Sequence, residues 1–503
     1  FQMRLPLFLL LGLLQVISSF KFLVYSAKYL SSHVQFMGKL ADILAEEGHE
    51  VIISIAQSSD TKRLAAGWHE MAASFWTYQS TAHFFIKNWA HVPEWRSNCI
   101  EVITTPGLLD SLRSKKFDVA FAEATEPCAF ALFSLIGIEK ISITDPHNTL
   151  ELDWATTGAP NMLSYVPVRL SESSDVMTFF ERLQNILLHL TYEFSTKLYR
   201  KVIFDAVREV EPDLKSHQEV MESISLVFRH SDPLIDVPSI TTHKLVDFGG
   251  ITLEEEATQL DEHWSSLLSL RPRTVFISFG SRSRSVDMPD KFKQSFLALF
   301  KIMPETTFIW KYEEPDSDLA SGVENVILSK WVPQRDLLHD ARLSLFVTHA
   351  GQNSLLEAVQ AGVPLLGIPL YSDQKRNANV IPRNGIGRVL KKEQLTEPEA
   401  LIAAVKEVLD DRSISSNAKR VAEMVNNRPF TPRELFVNHM SFLARYGPLR
   451  QLDHYGTRLN FLQYYLIDVF VFIAFIVTVV VLLLLFALKR LRHSVKVKRH
   501  KQN

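Results

Sequence analysis

Residues 331–390 carry the densest run of side chains able to bind a phosphorylated ligand. Leu343 to His349, LSLFVTH, is a short apolar, β-branched run of the kind that becomes a buried parallel strand. Ala350-Gly351 then turns the chain into a helix from Asn353 to Ala361, which Gly362 ends. Strand, turn and helix start together make an anion site, because unpaired backbone N–H groups and the positive end of the helix dipole converge above the strand. A diphosphate fits there, with His349 at the strand end and Asn353 and Ser354 opening the helix. Glu357 lies one turn after Asn353 on the same face, where a carboxylate can accept bonds from ribose hydroxyls. A further strand, Pro364 to Ile368, ends at Pro369 and delivers Asp373-Gln374, an acceptor and a two-way amide suited to sugar hydroxyls. Upstream, Trp331 offers a stacking face for a base and Gln334 can pair with its polar edge. Each piece is common by itself, since most Asp-Gln pairs in loops are merely solvated. Their order and spacing suit a nucleotide-sugar.

The sharpest candidate in the amino half is His33. Ser32-His33-Val34-Gln35 has the spacing of a capping box, which predicts Ser32 as N-cap and His33 as the first helical residue. The positive helix end there disfavours a second proton on the imidazole, leaving it able to accept one. The helix behind it is amphipathic, with Val34, Met37, Leu40 and Leu44 on one stripe and Gly48 at its end. A lone histidine after a loop is more commonly just a surface residue, and the spacing alone leaves that alternative open.

The Trp331 to Leu390 segment closely resembles the signature of the UDP-glycosyltransferases, the membrane-bound family that includes the UDP-glucuronosyltransferases, and the resemblance runs from roughly Ser31 to the C-terminal tail. It implies roles residue by residue. Trp331 and Gln334 match the W-x-P-Q pair that contacts uracil. THAGQN matches T-H-G-G-x-N, so His349, Gly351 and Asn353 would serve the diphosphate, beside Ser354 at the helix start, and Glu357 the ribose. Asp373 and Gln374 match the pair that holds the transferred sugar, and Ser281 in FISFGSRS matches a serine near the phosphates. One departure is Ala350 in place of the first glycine of the pair. Its methyl is harmless at negative φ, whereas positive φ would strain the loop by on the order of 1 kcal/mol.

His33 matches the family's S-H motif, which makes it the expected catalytic base. The family's orienting aspartate ends the strand F-D-V-x-F-A-D-A; this chain reads FDVAFAEA, so Glu123 takes that place with one methylene more. Asp118, the competing carboxylate, precedes the apolar core of the same strand and lies at the wrong end to meet a helix N-terminus. The implied reaction is an inverting transfer of glucuronic acid or glucose from a UDP-sugar to a hydroxyl of a small lipophilic acceptor, of the detoxification type, with no metal and no further cofactor. Arg229, in LVFRHSDP, resembles a stretch that crosses toward the donor, and either adds a positive charge there or is an ordinary surface arginine. Trp68, Trp76, Phe84, Phe85 and Trp89 either line an apolar acceptor pocket or fill a core. A catalytically inactive membrane receptor or lectin-like protein of the same fold would be expected to lose His33, the carboxylate or the Asp-Gln pair. A glycosidase would need paired carboxylates flanking one bond.

The elements that must position these residues alternate between strand-like runs and amphipathic helices, which argues for βαβ units and parallel sheets. FKFLVYS (Phe20 to Ser26), a helix from Ser32 to Glu47, EVIISIA, FDVAFAEA and EKISIT make one set; RTVFISFGS, TFIWKY, NVILSKW and the donor segment make a second. The resemblance names this the GT-B fold, an α/β architecture of two Rossmann-like doubly wound domains facing a cleft. The expected organisation is a signal peptide at 1–19, an acceptor-binding domain at 20–245, a UDP-sugar-binding domain at 246–445, a juxtamembrane segment at 446–463, a transmembrane helix at 464–488 and a basic tail at 489–503. The linker is expected in Pro233 to Ile251, with Gly249-Gly250 as hinge, and Ser164 to Ile186 as helices that cap the acceptor site or lie near the membrane.

The 503 residues are 47% apolar and nearly balanced in charge, with 54 basic and 56 acidic side chains, so nothing points to nucleic acid. Arg4, the apolar run Leu5 to Ile17 and Ser18-Ser19 have the pattern of a signal peptide. Tyr464 to Leu488 is long enough to cross a bilayer, and the basic tail after it predicts a cytoplasmic end with everything earlier lumenal. That gives a single-pass type I protein of the endoplasmic reticulum membrane, monomeric or in a homo- or hetero-oligomer. Two cysteines, Cys99 and Cys128, make no disulfide framework, so the hydrophobic core is expected to hold the fold. The acidic run Glu313 to Asp318 reads as a solvated loop, and no Asn-x-Ser/Thr sequon occurs.

Overall fold

A computed structural model of the chain describes residues 19–27, 31–56, 73–77, 85–86, 89–148, 154–253 and 257–500. All but the last residue of the expected signal peptide, together with Trp68 and Phe84, lie outside them. Two six-stranded sheets form, with strand orders β2-β1-β3-β4-β5-β6 and β12-β11-β10-β7-β8-β9. Every pairing is parallel. Together they make the GT-B architecture.

In the first sheet β1 (Lys21–Ala27) lies between β2 (Glu50–Ala56) and β3 (Val119–Glu123), followed by β4 (Ile141–Asp145), β5 (Leu226–Arg229) and β6 (Leu245–Asp247). The chain runs from β1 outward to β2, then returns to the other side of β1 to make β3. The order therefore reverses between β1 and β3, and a crevice opens at their carboxyl ends. The second sheet, from β7 (Arg273–Ser278) through β8 (Thr306–Lys311), β9 (Val326–Ser329), β10 (Leu343–Thr348), β11 (Leu365–Gly367) and β12 (Gly387–Val389), reverses between β7 and β10. Central strands are covered on both faces, which is why VAFAE, ISITD and LVFR are buried at every position and read as continuous runs rather than alternations.

Beta6 is still the edge strand of the first sheet, so the chain crosses to the second half only after Asp247. Gly249 packs against Ser231, where an added Cβ would lie 2.5 Å from backbone, and Gly250 turns at φ 88°. The helix Pro432–Tyr446, although it follows the second sheet in sequence, buries Phe436, Met440 and Leu443 with Phe22, Val24, Phe121 and Phe228 of the first. Each such buried side chain contributes roughly 1.5–3 kcal/mol.

Three expectations change. Cys99 and Cys128 are joined by a disulfide, which ties the Val92–Ile103 helix to the Pro127–Leu135 helix, so the core is not the sole tie. Residues 161–178 form no regular helix, and the helix begins only at Phe179, behind a Thr178–Glu181 capping box. The irregular segment is held instead by the opposite half, where Arg376 donates to the Pro167 carbonyl, Lys375 to the Glu172 carboxylate and Asn379 to the Ser173 carbonyl. The run Glu313 to Asp318 is not wholly solvated, because Glu313 pairs with Lys311 at 3.1 Å and accepts from the Val286 N–H.

Residues 453–503 form a separate compact unit. Its helix Ile467–His500 contains the 28-residue stretch Ile467–Ser494, within which an 18-residue window reaches a mean hydropathy of 3.4. At 1.5 Å per residue the stretch is about 42 Å long, more than a hydrocarbon core requires. Tyr464, the expected start, belongs to a short preceding helix, Phe461–Tyr464.

Candidate active site

The two switch points face one cavity of about 1060 Å³, lined by residues of both halves. On the amino side the helix Ser31–Glu46 starts immediately after β1, and Glu123 ends β3. The helix begins two residues before the capping-box prediction, so Ser32 lies inside it and His33 is its third residue, still in the first turn. Phe36, Met37, Leu40 and Leu44 are buried and fix the helix against the sheet. His33 Nδ1 donates to Glu123 Oε2 at 2.5 Å across 90 residues of sequence. Glu123 is 4% exposed. With Nδ1–H committed to the carboxylate, Nε2 of the neutral ring is a proton acceptor on the cavity wall. Asp118 accepts from the Lys21 N–H at the opposite end of the strand, as its place in the sequence implied.

A second imidazole stands beside the first. His147 follows β4, with its ring 5.3 Å from that of His33 and edge-on to it. Its Nδ1 lies 3.1 Å from Asp145 Oδ1, and its Nε2 lies 3.2 Å from Arg169 Nη2. Asp145, His147 and Arg169 were not singled out from sequence. The available signal was position alone: Asp145-Pro146-His147 leaves the carboxyl end of a buried parallel strand, where site residues collect.

On the other side β7 is followed by Gly280 and Ser281, and β10 by His349. The His349 ring fills a slot between two glycines: a Cβ on Gly280 would approach it to 2.8 Å and one on Gly351 to 2.6 Å. Burial pushes His349 down to about 4, so the ring is neutral near pH 7, and its Nδ1 has no hydrogen-bond partner among the described residues. Asn353 Oδ1 is likewise enclosed and unpartnered. Gly351 caps the helix Gln352–Ala361, which Gly362 ends at φ 72°. Ala350 takes φ 60° and is fully buried, so the loop carries the strain that a glycine would avoid.

Gln334 opens a short helix, Gln334–Leu338, and its amide donates to Ser354 Oγ and to the Glu357 carboxylate. Burial raises Glu357, partly offset by that bond and by Arg335. Trp331 lines the same end and is 68% exposed, an open ring face for a base. Asp373 and Gln374 are buried on the opposite wall. Gln374 Oε1 accepts from the N–H groups of Leu370 and Tyr371, which fixes the loop, and Asn377 donates to Asp373 at 2.8 Å. Burial would raise Asp373, but His147, Arg169 and the Asn377 bond outweigh it and hold the carboxyl below its usual range. Eleven of the twelve residues expected from sequence thus line one cavity, from His33 to Gln374, and the twelfth, Glu123, is bonded to His33.

Two expectations fall away. Arg229 is buried and makes two bonds to Asp247, so it holds β5 to β6 and does not line the cavity. Trp76 is packed into the core of the second half with its Nε1 on the Arg284 carbonyl, whereas Phe85 and Trp89 do line the cavity, beside Trp95 and Tyr199. Lys311, at the end of β8, was missed; its ammonium donates to the Gly280 carbonyl in the loop after β7.

A profile of the family described as "UDP-glucoronosyl and UDP-glucosyl transferase" matches residues 21–501. The chain belongs to the UDP-glycosyltransferase family. Among relatives of this UDP-glycosyltransferase, the Caenorhabditis elegans protein ugt-50, named for the UDP-glucuronosyltransferases, is 28% identical over 94% of this chain and 96% of its own. UDP-glucosyltransferase 2 of Dactylopius coccus is 28% identical over 75% of this chain and 73% of its own. The crystal structure of the glycosyltransferase VinC in complex with dTDP aligns with a TM-score of 0.55 at 16% identity, over 85% of this chain and all of that one, a likeness of fold. The spinosyn forosaminyltransferase SpnP aligns equally well, with a TM-score of 0.55.

Proposed function

We propose that this UDP-glycosyltransferase moves glucuronic acid or glucose from its UDP-sugar, with inversion, to a hydroxyl of a small lipophilic acceptor, a conjugation of the detoxification type. The observation that carries the reading is the His33–Glu123 pair facing the donor-side residues across one cavity. His33 Nε2 removes the acceptor hydroxyl proton as the oxygen attacks the anomeric carbon from the face opposite UDP. The bond from that carbon to the β-phosphate oxygen breaks, and its electron pair leaves with UDP. Glu123 orients the ring and stabilises the imidazolium that forms. The diphosphate charge is met by the start of the Gln352–Ala361 helix, neutral His349, Asn353 and Ser281, with Lys311 adding a positive charge. In this reading no metal or further cofactor is needed. Uracil stacks on Trp331 and meets Gln334, the ribose meets Glu357, and the sugar hydroxyls meet Asp373 and Gln374.

Phe85, Trp89, Trp95 and Tyr199 supply an apolar acceptor wall. The Ile467–Ser494 stretch would anchor the protein once in the endoplasmic reticulum membrane, with the basic residues from Lys489 onward cytoplasmic and both catalytic domains lumenal. The test is His33→Ala in microsomes with radiolabelled UDP-glucuronate or UDP-glucose and a lipophilic phenol. Turnover should fall roughly 10²-fold or more, while UDP affinity stays near wild type. Near wild-type turnover would place the base elsewhere.

A further inference from the structure

His33 makes one hydrogen bond, to Glu123, and one ring contact, to His147. The bond fixes where Nδ1 lies, but the ring can still turn about the Nδ1 to Oε2 line and swing Nε2, the reacting atom, away from the acceptor hydroxyl. A second imidazole set edge-on at 5.3 Å removes that freedom. What holds His147 therefore sets the aim of the base.

His147 is held from two sides. From its own half, its backbone N–H donates to Asp145 Oδ1 at 3.0 Å, the same oxygen that lies 3.1 Å from its Nδ1, so ring and main chain share one buried anchor at the end of β4. From the other side comes Arg169, whose Nη2 lies 3.2 Å from the ring's Nε2. Arg169 also donates to Ser372 Oγ, from Nε at 3.3 Å and from Nη2 at 3.2 Å. Ser372 directly precedes Asp373 and is turned to φ 55°, a conformation that a serine keeps only where its surroundings hold it.

Contacts thus run without a break from the base to the loop that carries Asp373, through His147, Arg169 and Ser372. They cross between the halves at the Arg169 segment, which Arg376, Lys375 and Asn379 tie to the donor side. Charge follows the same path: burial raises the Asp373 carboxyl, and His147, ahead of Arg169, draws it back below its ordinary range. The halves are joined elsewhere too, by Gln352 on the His230 carbonyl and by Arg376 on Asp236. Neither of those ties ends on the base. The His147 route does, and a reacting atom misplaced by about 1 Å can cost on the order of 10²-fold in rate.

We infer that His147 is a positioning residue that couples the donor loop to the catalytic base, aiming His33 Nε2 at the acceptor when the loop of Ser372 and Asp373 is in place. The inference rests on the proposed roles of His33 and Asp373 and deepens them. The test uses the full chain in detergent with its UDP-sugar and one lipophilic phenol, and counts kcat per UDP-binding site from calorimetric titration. His147→Asn keeps an amide level with Nδ1 for Asp145 but stops short of Arg169. It should lower kcat on the order of 10-fold, with UDP affinity within about twofold of wild type. His147→Gln, whose amide reaches as far as Nε2, should recover part of that loss. Ser372→Ala removes the far end of the route and should lower kcat roughly 3-fold, the scale of one neutral hydrogen bond. Added to His147→Asn it should cost nothing more, because the route is already cut, whereas independent losses would multiply to roughly 30-fold. Multiplied losses, a His147→Gln no better than His147→Asn, or near wild-type kcat in either His147→Asn or Ser372→Ala overturns the inference. Should no His147 variant bind UDP, Ser372→Ala decides it alone. His33→Ala measured alongside tells the two readings apart: full turnover there removes the base itself, whereas its loss beside a fully active His147→Asn overturns the coupling alone.

Discussion

Shortening Glu123 to aspartate withdraws its carboxylate by about one carbon–carbon bond, roughly 1.5 Å. Starting from the 2.5 Å contact with His33 Nδ1, the gap becomes about 4 Å, beyond hydrogen-bond reach. Neither partner can follow. Glu123 is in register with Thr144 at the end of β3, which lies between β1 and β4, and His33 is carried by a helix whose Phe36 and Met37 are fully enclosed. Although aspartate is the residue expected here from resemblance to the family, Glu123→Asp should lower kcat by roughly 10- to 10²-fold by releasing the ring and leaving the imidazolium uncompensated. The KM for the UDP-sugar should change little, because the donor-side groups are untouched. Glu123→Gln keeps the reach and an acceptor oxygen but loses the charge, so its loss should be smaller than that of His33→Ala. Asp118→Asn, at the far end of the strand, serves as the control and should keep near wild-type turnover. Initial rates at saturating donor decide the matter. Full turnover in Glu123→Asp would refute the orienting role, and loss in Asp118→Asn with none in Glu123→Gln would move it to Asp118.

Asp373→Ala should cost on the order of 1–3 kcal/mol in transfer by leaving sugar hydroxyls unpaired, yet change free UDP affinity little, whereas Glu357→Ala should weaken UDP and UDP-sugar alike. Calorimetric titration with UDP separates them, and a large loss of UDP affinity in Asp373→Ala would contradict the placement of the sugar. Burial pushes both His230 and His349 down to about 4 in the fold. Unfolded histidines titrate near 6.5, so below that pH the unfolded chain binds more protons and stability falls as pH drops toward 4, by about 2 kcal/mol per group at pH 5. A melting temperature that stays flat from pH 7 to pH 5 would show that these rings are not held neutral. Removing residues after Leu452 takes away the apolar span and leaves the unit that contains both sheets. The product should be released by alkaline extraction while keeping UDP binding; if it stays wholly in the pellet, a second anchor exists, for which the exposed stripe of Phe179, Leu183, Leu187, Leu190 and Phe194 is the candidate.

Local pattern was enough to read most of the strands, though not β5 and β6, and the Gln352–Ala361 helix with its glycine end, because a parallel strand is a continuous apolar run and a helix start has its own residues. It was enough, too, to place the polar groups of Trp331 to Gln374, since in a doubly wound sheet site residues fall at the carboxyl ends of strands and thus at predictable points in the chain. What sequence could not contain was distance between remote parts. The contact of His33 with Glu123 depends on β1 and β3 becoming neighbours, and that of Arg169 with Ser372 on a loop of one half docking onto the other. Arg229 was misread for the same reason: its charge suggested a ligand, and only the pairing of β5 with β6 supplied Asp247. The sign of φ at Ala350 was equally out of reach, because the turn that needs it is set by the helix dock and not by the alanine. Cys99 and Cys128 became a pair only when two helices met. Sequence here determined which groups are present and on which element each lies; the packing of elements far apart in the chain decided which of them share a proton, a charge or a ligand.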